Sequence, residues 1–154
     1  MNDVEIMKLA ADEANRTMNA GIGGPFGAAV VKNGTVIAVS SNSVLRDNDP
    51  TAHAEVNAIR LAGKVLGTHD LSGCTLYATG SPCPMCMSAT IWANIKDVVI
   101  SGEIEDADAI GFRDDFIYEY LYGEHSDLVT FRKVDRSIAQ NLYKSYSEGQ
   151  KQMY

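Results

Sequence analysis

Thr51-Ala52-His53-Ala54-Glu55, answered downstream by Pro82-Cys83-Pro84-Met85-Cys86, supplies three metal-ligating side chains and one further carboxylate. A structural zinc site is normally closed by four protein ligands, whereas a catalytic one keeps a position for water. His53, Cys83 and Cys86 make three, and one neutral imidazole with two thiolates balances the charge of Zn²⁺. Pro84 suits the first position of a helix over residues 85–95, whose N-terminus would then carry both cysteines and favour the ligating thiolate. A second helix is expected over residues 53–66, ended by Gly67. Glu55, in its first turn, can then face metal-activated water without ligating the metal. Either half alone says little, since a C-x-x-C also serves as a redox pair and a His-x-Glu arises by chance. Both halves, each opening a helix and separated by a strand, point to a catalytic Zn²⁺ site rather than a structural or redox one.

Working outward, Val4, Met7, Ala11, Ala14 and Met18 fall at helical spacing over residues 3–19, with Asp3 as the expected cap. Asn33-Gly34 separates two apolar runs, residues 26–32 and 35–41, and is a strong signal for a two-residue hairpin turn because both positions need positive φ. Further strands are expected at 74–78, 97–100 and 129–134, with two short helices broken at Gly111 and a last helix over 137–150. Strands alternating with helices after a hairpin predict an α/β fold, a three-layer α/β/α sandwich around a mixed five-stranded sheet. At 154 residues and 45% hydrophobic content, the chain suits one domain, 1–154. Met85, Met87, Ile91 and Trp92 are expected in the core. Cys74, in an apolar strand, reads as a small buried hydrophobe, and nothing suggests a disulfide framework.

Net charge is −7, and residues 102–127 hold nine acids against Arg113 alone. Such a surface repels phosphate backbones, so no nucleic-acid partner is expected. Arg132, Lys133, Arg136, Lys144 and Lys151 form no evident stripe and read as solvated helix face. No apolar run is long enough for a membrane span, and Met1-Asn2-Asp3-Val4-Glu5 lacks the features of a secretory signal, so a cytoplasmic location is expected.

H-x-E combined with P-C-x-x-C is the signature of zinc-dependent nucleobase deaminases. With Asn19-Ala20-Gly21-Ile22-Gly23-Gly24-Pro25-Phe26-Gly27-Ala28, Asn48-Asp49-Pro50 before the histidine stretch, and Gly111-Phe112-Arg113-Asp114-Asp115-Phe116-Ile117-Tyr118, the chain resembles the cytidine deaminase superfamily over nearly its whole length. Within it, the last segment is similar to the guanine deaminase branch. The resemblance implies a cytidine deaminase-like fold and hydrolytic deamination of a free nucleobase, guanine to xanthine plus ammonia, as in purine catabolism. It implies Glu55 as the proton shuttle and Zn²⁺ as the only cofactor. It also implies Phe26 on the base-binding face, Asn42 donating to and accepting from the base, Asp114 reading its edge, the backbone near Ala54 and Cys83 at the reacting end, and Tyr154 closing the pocket. A homodimer, with residues 128–154 exchanged between subunits, is implied as well.

The residues alone leave blander roles open: Phe26 as core, Asn42 as a turn residue, Asp114 as a helix cap. The chain also departs from a common pattern of purine deaminases, placing Gly80-Ser81 where Cys-Glu often precedes Pro-Cys. The alternatives are another small aminated ring (cytosine, guanosine or an aminated triazine), a tRNA adenosine deaminase, and a zinc-stabilised binding protein. An intact Glu55 argues against the last, because a structural site does not need that carboxylate.

Overall fold

Gly27–Lys32 (β1) is the strand on which the first half of the chain is assembled. The structure is a computed structural model that describes residues 1–150 and 152–154, and it divides the chain into two units, Met1–Asp114 and Asp115–Tyr154. In the first, β1 pairs antiparallel with β2 (Thr35–Ser41) on one side and with β3 (Cys74–Gly80) on the other, and β3 pairs parallel with β4 (Asp97–Gly102). The order is β2-β1-β3-β4, a mixed sheet. Asn33 and Gly34 both take positive φ, 50° and 74°, so the hairpin turn forms where the dipeptide places it.

Alternation along β1 separates two cores. Ala28 and Val30 join Ala54, Ala58 and Ala62 of α3 (Ala54–Leu66), while Ala29 and Val31 join Ile6 and Ala10 of α1 (Asp3–Asn19) on the opposite face. A strand covered on both faces reads as a continuous apolar run, which is how Gly-Ala-Ala-Val-Val reads. The register slips between Val30 and Val31, leaving Ile37 as the extra residue of β2. Ile37 and Ala38 therefore both reach the α3-side core, which strict alternation would forbid.

The cap of α1 is Asn2 rather than the expected Asp3. The Asn2 side chain accepts from the Glu5 amide and Glu5 returns a bond to the Asn2 amide, each at 2.9 Å. This reciprocal pair satisfies two helix-end donors together. Asp3 instead accepts the Tyr77 hydroxyl at 2.8 Å, tying α1 to β3.

The cysteine helix, α4 (Pro84–Trp92), is shorter than expected because Asn94 adopts φ 60° and turns Ile95 into the core. Ile91 and Trp92, expected inside, are 68% and 77% exposed. A helix apolar all round can bury only one side; α4 packs on α3, and Cys86, Thr90 and the following Ala93 are the residues it buries. Short helices α2 (Val44–Asp47) and α5 (Ile104–Ala109) complete the first unit.

The second unit contains α6 (Asp115–Leu121) and α7 (Arg136–Glu148). The expected fifth strand at 129–134 is absent: the sheet has four strands. Strand-favouring residues yield a strand only where an edge accepts their hydrogen bonds, and Val129, Phe131 and Val134 are exposed. Among the described residues, no helix is long and apolar enough to cross a membrane.

A Cβ built on Gly27 would lie 1.9 Å from the Ala10 carbonyl oxygen, so α1 seats on β1 only because this residue has no side chain. Gly27→Ala is expected to lower stability by roughly 1–3 kcal/mol through the forced backbone shift. Chemical denaturation should register this as a reduced midpoint with an unchanged slope.

Candidate active site

Two helix N-termini meet on the α3 side of the sheet. His53 is the N-cap residue of α3 and Cys83 that of α4, both with extended backbone, and Cys86 follows in the first turn of α4. His53 Nδ1 lies 3.6 Å from each sulfur, and the three donor atoms are within 4.8 Å of one another. With usual zinc–nitrogen and zinc–sulfur bonds, a tetrahedral centre has nitrogen–sulfur edges of about 3.5 Å. The donor set therefore has both the chemistry and the spacing for zinc, with Nδ1 the His53 nitrogen that faces the two sulfurs.

Electrostatics point the same way. The Cys83 thiol is held well below its usual range, first by its hydrogen bond with Cys86 and further by His53. Cys86 is pushed up by that same bond, by burial and by the Glu55 carboxylate. Two thiolates beside Glu55 would crowd negative charge in a buried pocket, a crowding that a bound dication relieves. The His53 imidazole is shifted up, chiefly by its hydrogen bond to Cys83.

Glu55 does not belong to the converging set. Its Oε2 lies 3.5 Å from Cys86 Sγ, beside the ligands, and it is buried with 8% exposure. That burial pushes its carboxyl up, the direction that favours holding a proton near neutral pH. Ala54, between His53 and Glu55, is fully buried at the start of α3.

Asn42 is buried just beyond β2. Its Oδ1 accepts from the Gly24 amide at 3.2 Å and the Val44 amide at 3.1 Å, and its own amide donates to the Phe26 carbonyl at 3.0 Å. The side-chain carbonyl is thus committed to the backbone, and Nδ2 is the group left to donate. Gly23 makes the arrangement possible, since a Cβ there would lie 2.2 Å from the Asn42 carbonyl oxygen.

Sequence reasoning missed Asn57. Its Nδ2 donates to the Ser41 carbonyl and the Ser43 hydroxyl, each at 2.9 Å, with the Ala52 carbonyl at 3.3 Å. It joins the segment before Asn42 to the segment before His53. Its one local clue is helical spacing, four residues after His53.

Phe26 is half-buried and meets Phe112 edge to face, with ring centroids 5.0 Å apart and planes at 88°. A Cβ on Gly80 would sit 3.5 Å from Phe26, so the departure at this position opens no clash. Asp114 is half-buried, two residues after Phe112, while Tyr154 is exposed in the second unit.

Residues 1–102 match the family described as the cytidine and deoxycytidylate deaminase zinc-binding region. The chain is 52% identical to the guanine deaminase of Bacillus subtilis (strain 168) over 121 residues, covering 79% of this chain and 78% of that protein. The X-ray structure of guanine deaminase from Bacillus subtilis superposes with a TM-score of 0.94 at 42% identity, covering 100% of this chain and 99% of the other. A tRNA-specific adenosine deaminase of Aquifex aeolicus is 44% identical over 95 residues, 62% of each chain.

The donor geometry predicts one zinc per chain. Cys83→Ala or Cys86→Ala should lose it and lower the thermal midpoint, because metal held only by the folded state contributes folding free energy. Metal analysis after gel filtration, with His69→Ala as the control that keeps full zinc, checks the assignment.

Proposed function

The chain belongs to the cytidine and deoxycytidylate deaminase zinc-binding family, and from that premise we propose that it hydrolyses free guanine to xanthine and ammonia. The observation that carries the reading is the convergence of His53, Cys83 and Cys86 on one point with Glu55 beside them and outside the set. A structural zinc site has no use for that fourth group. The similarity to guanine deaminase over most of the chain supports guanine as the ring.

Zinc held by these three residues supplies a Lewis acid that brings the ionisation of water near neutral pH. Glu55 takes one proton from the attacking water on its carboxylate and delivers it to a ring nitrogen as oxygen adds to the amine-bearing carbon. The carboxylate, free again, then takes the proton of the added hydroxyl and passes it to the departing amine, so the carbon–nitrogen bond breaks, ammonia leaves and the carbon is left as a carbonyl. Burial of Glu55 keeps bulk water from competing for that proton.

Recognition of the base is assigned to groups of fixed polarity. Asn42 offers only its Nδ2 donor, which suits a ring acceptor. Asp114 offers acceptors to the N–H donors of the guanine edge, and Phe26 offers an apolar face. A ring with the wrong edge leaves buried polar groups unpaired, and this discriminates strongly. Tyr154 is assigned by resemblance to pocket closure.

The exposed Ile91 and Trp92 in the first unit, and Phe131, Val134, Ile138 and Leu142 in the second, support a homodimer in which a second copy of the chain covers apolar surface. Exchange of residues 128–154 between subunits fits the lack of a strand partner for 129–134. Light scattering at micromolar concentration is expected to give twice the chain mass, and a monomer overturns the assignment.

Ammonia release with guanine, adenine, cytosine and their nucleosides tests the substrate, with guanine expected to lead the panel. Glu55→Gln should retain zinc and fold while losing roughly 10²-fold or more in kcat, the usual scale for a positioned acid/base. Asp114→Ala should lower kcat/KM for guanine, chiefly by raising KM, with zinc content unchanged. Near-normal kcat in Glu55→Gln would assign the protons to another group.

A further inference from the structure

Phe112 lies outside the residues assigned above, yet the first unit places it against them. It follows α5 through a helix-ending turn in which the Phe112 amide bonds the Ala107 carbonyl and the Gly111 amide bonds the Asp108 carbonyl, each at 3.0 Å, with Gly111 at φ 96°. That pairing, with a left-handed residue just past the helix, redirects the chain sharply. Here it carries the Phe112 ring across to Phe26, edge to face at 5.0 Å. The ring also closes over Gly24, where a Cβ would stand 3.2 Å from Phe112 Cζ, and the Gly24 amide is one of the two donors that hold Asn42 Oδ1. Phe112 remains 48% exposed, so burial in a core does not account for its position.

Resting on the proposed role of Asp114, we propose that Phe112 is the positioning residue that holds the Asp114 segment on the base-binding face by stacking on Phe26. Aromatic pairs of this geometry are directional, with the ring edge attracted to the opposing face. Phe112 is joined to Asp114 through a single intervening residue, so fixing its ring limits how far the carboxylate can move. Displacement of about an ångström is enough to weaken a positioned contact severely. Phe112 thus acts on substrate through Asp114, without any part in proton transfer.

The test is steady-state kinetics on the full-length zinc enzyme with Phe112→Ala, Asp114→Ala and the double variant. Phe112→Ala should raise KM for guanine roughly tenfold with kcat changed less than about threefold, the pattern of lost binding that ground and transition states share. Phe112→Leu, which keeps bulk without the ring edge, should recover part of the loss. Gly111→Ala, strained at φ 96°, should shift KM in the same direction from the backbone side.

In the Asp114→Ala background, Phe112→Ala should add almost nothing, because residues acting through one contact are not additive. Equal zinc content and an unchanged unfolding midpoint separate the effect from misfolding. An undiminished Phe112→Ala effect in that background, or an unchanged KM in the single variant, overturns the proposal. If the wild-type enzyme is silent on guanine, the guanine reading falls by that result alone, and the same cycle with the ring it does deaminate decides the role of Phe112.

Discussion

The meeting of two helix N-termini around three donor atoms is the constraint on which the rest of the molecule turns. His53 opens α3 and Cys83 opens α4, and a thiolate is most readily kept where a helix begins. Bringing both starts to one place requires the helices to share one face of the sheet. The parallel pairing of β3 with β4, with α4 between them in sequence, achieves this, because a parallel pair needs a connection long enough to hold a helix. The alanine row Ala54, Ala58 and Ala62 then lets α3 lie close on β1, and Gly27 does the same for α1 on the other side. Small residues at both contacts keep the layers thin, so the metal ligands are carried by rigid elements.

The pocket is a set of committed hydrogen-bonding groups. Asn42 illustrates such commitment: two backbone amides, of Gly24 and Val44, donate to its side-chain carbonyl. Asn57 performs the equivalent task for the backbone, bonding Ser41, Ser43 and Ala52 and so locking the approach to both Asn42 and His53. Neither residue needs to touch zinc to matter, since loosely held groups around a reacting centre lose much of their effect. Glu55 is held differently. Its burial beside Cys86 raises the cost of its charge and pushes its carboxyl up.

Sequence and tertiary structure divided the work along a physical line, the range of the interactions involved. His53, Glu55, Cys83 and Cys86 were legible because their spacing is local and each pair belongs to one helix start. Asn33-Gly34 was legible because positive φ at two successive positions is a property of the dipeptide. The α1 cap slipped by one residue, since Asn2 and Asp3 are both good caps and only the reciprocal bond with Glu5 separates them.

What local pattern could not supply was partnership across the chain. Ile91 and Trp92 read as core because they are apolar, yet α4 packs on α3 and leaves both exposed. Residues 129–134 carry β-branched and aromatic side chains that suit a strand, but a strand also needs an edge to bond to. The fixed polarity of Asn42 and the stack of Phe112 on Phe26 depend on residues far apart in sequence, and no window of sequence contains both partners. The amino-acid sequence by itself determined the cluster of His53, Cys83 and Cys86 with Glu55 beside it, and the order of elements as far as β4, through local spacing. Only the tertiary structure decided which apolar faces are covered, which strands pair and which polar atoms are taken up by the backbone, because each of those depends on contacts that exist only once the chain has folded.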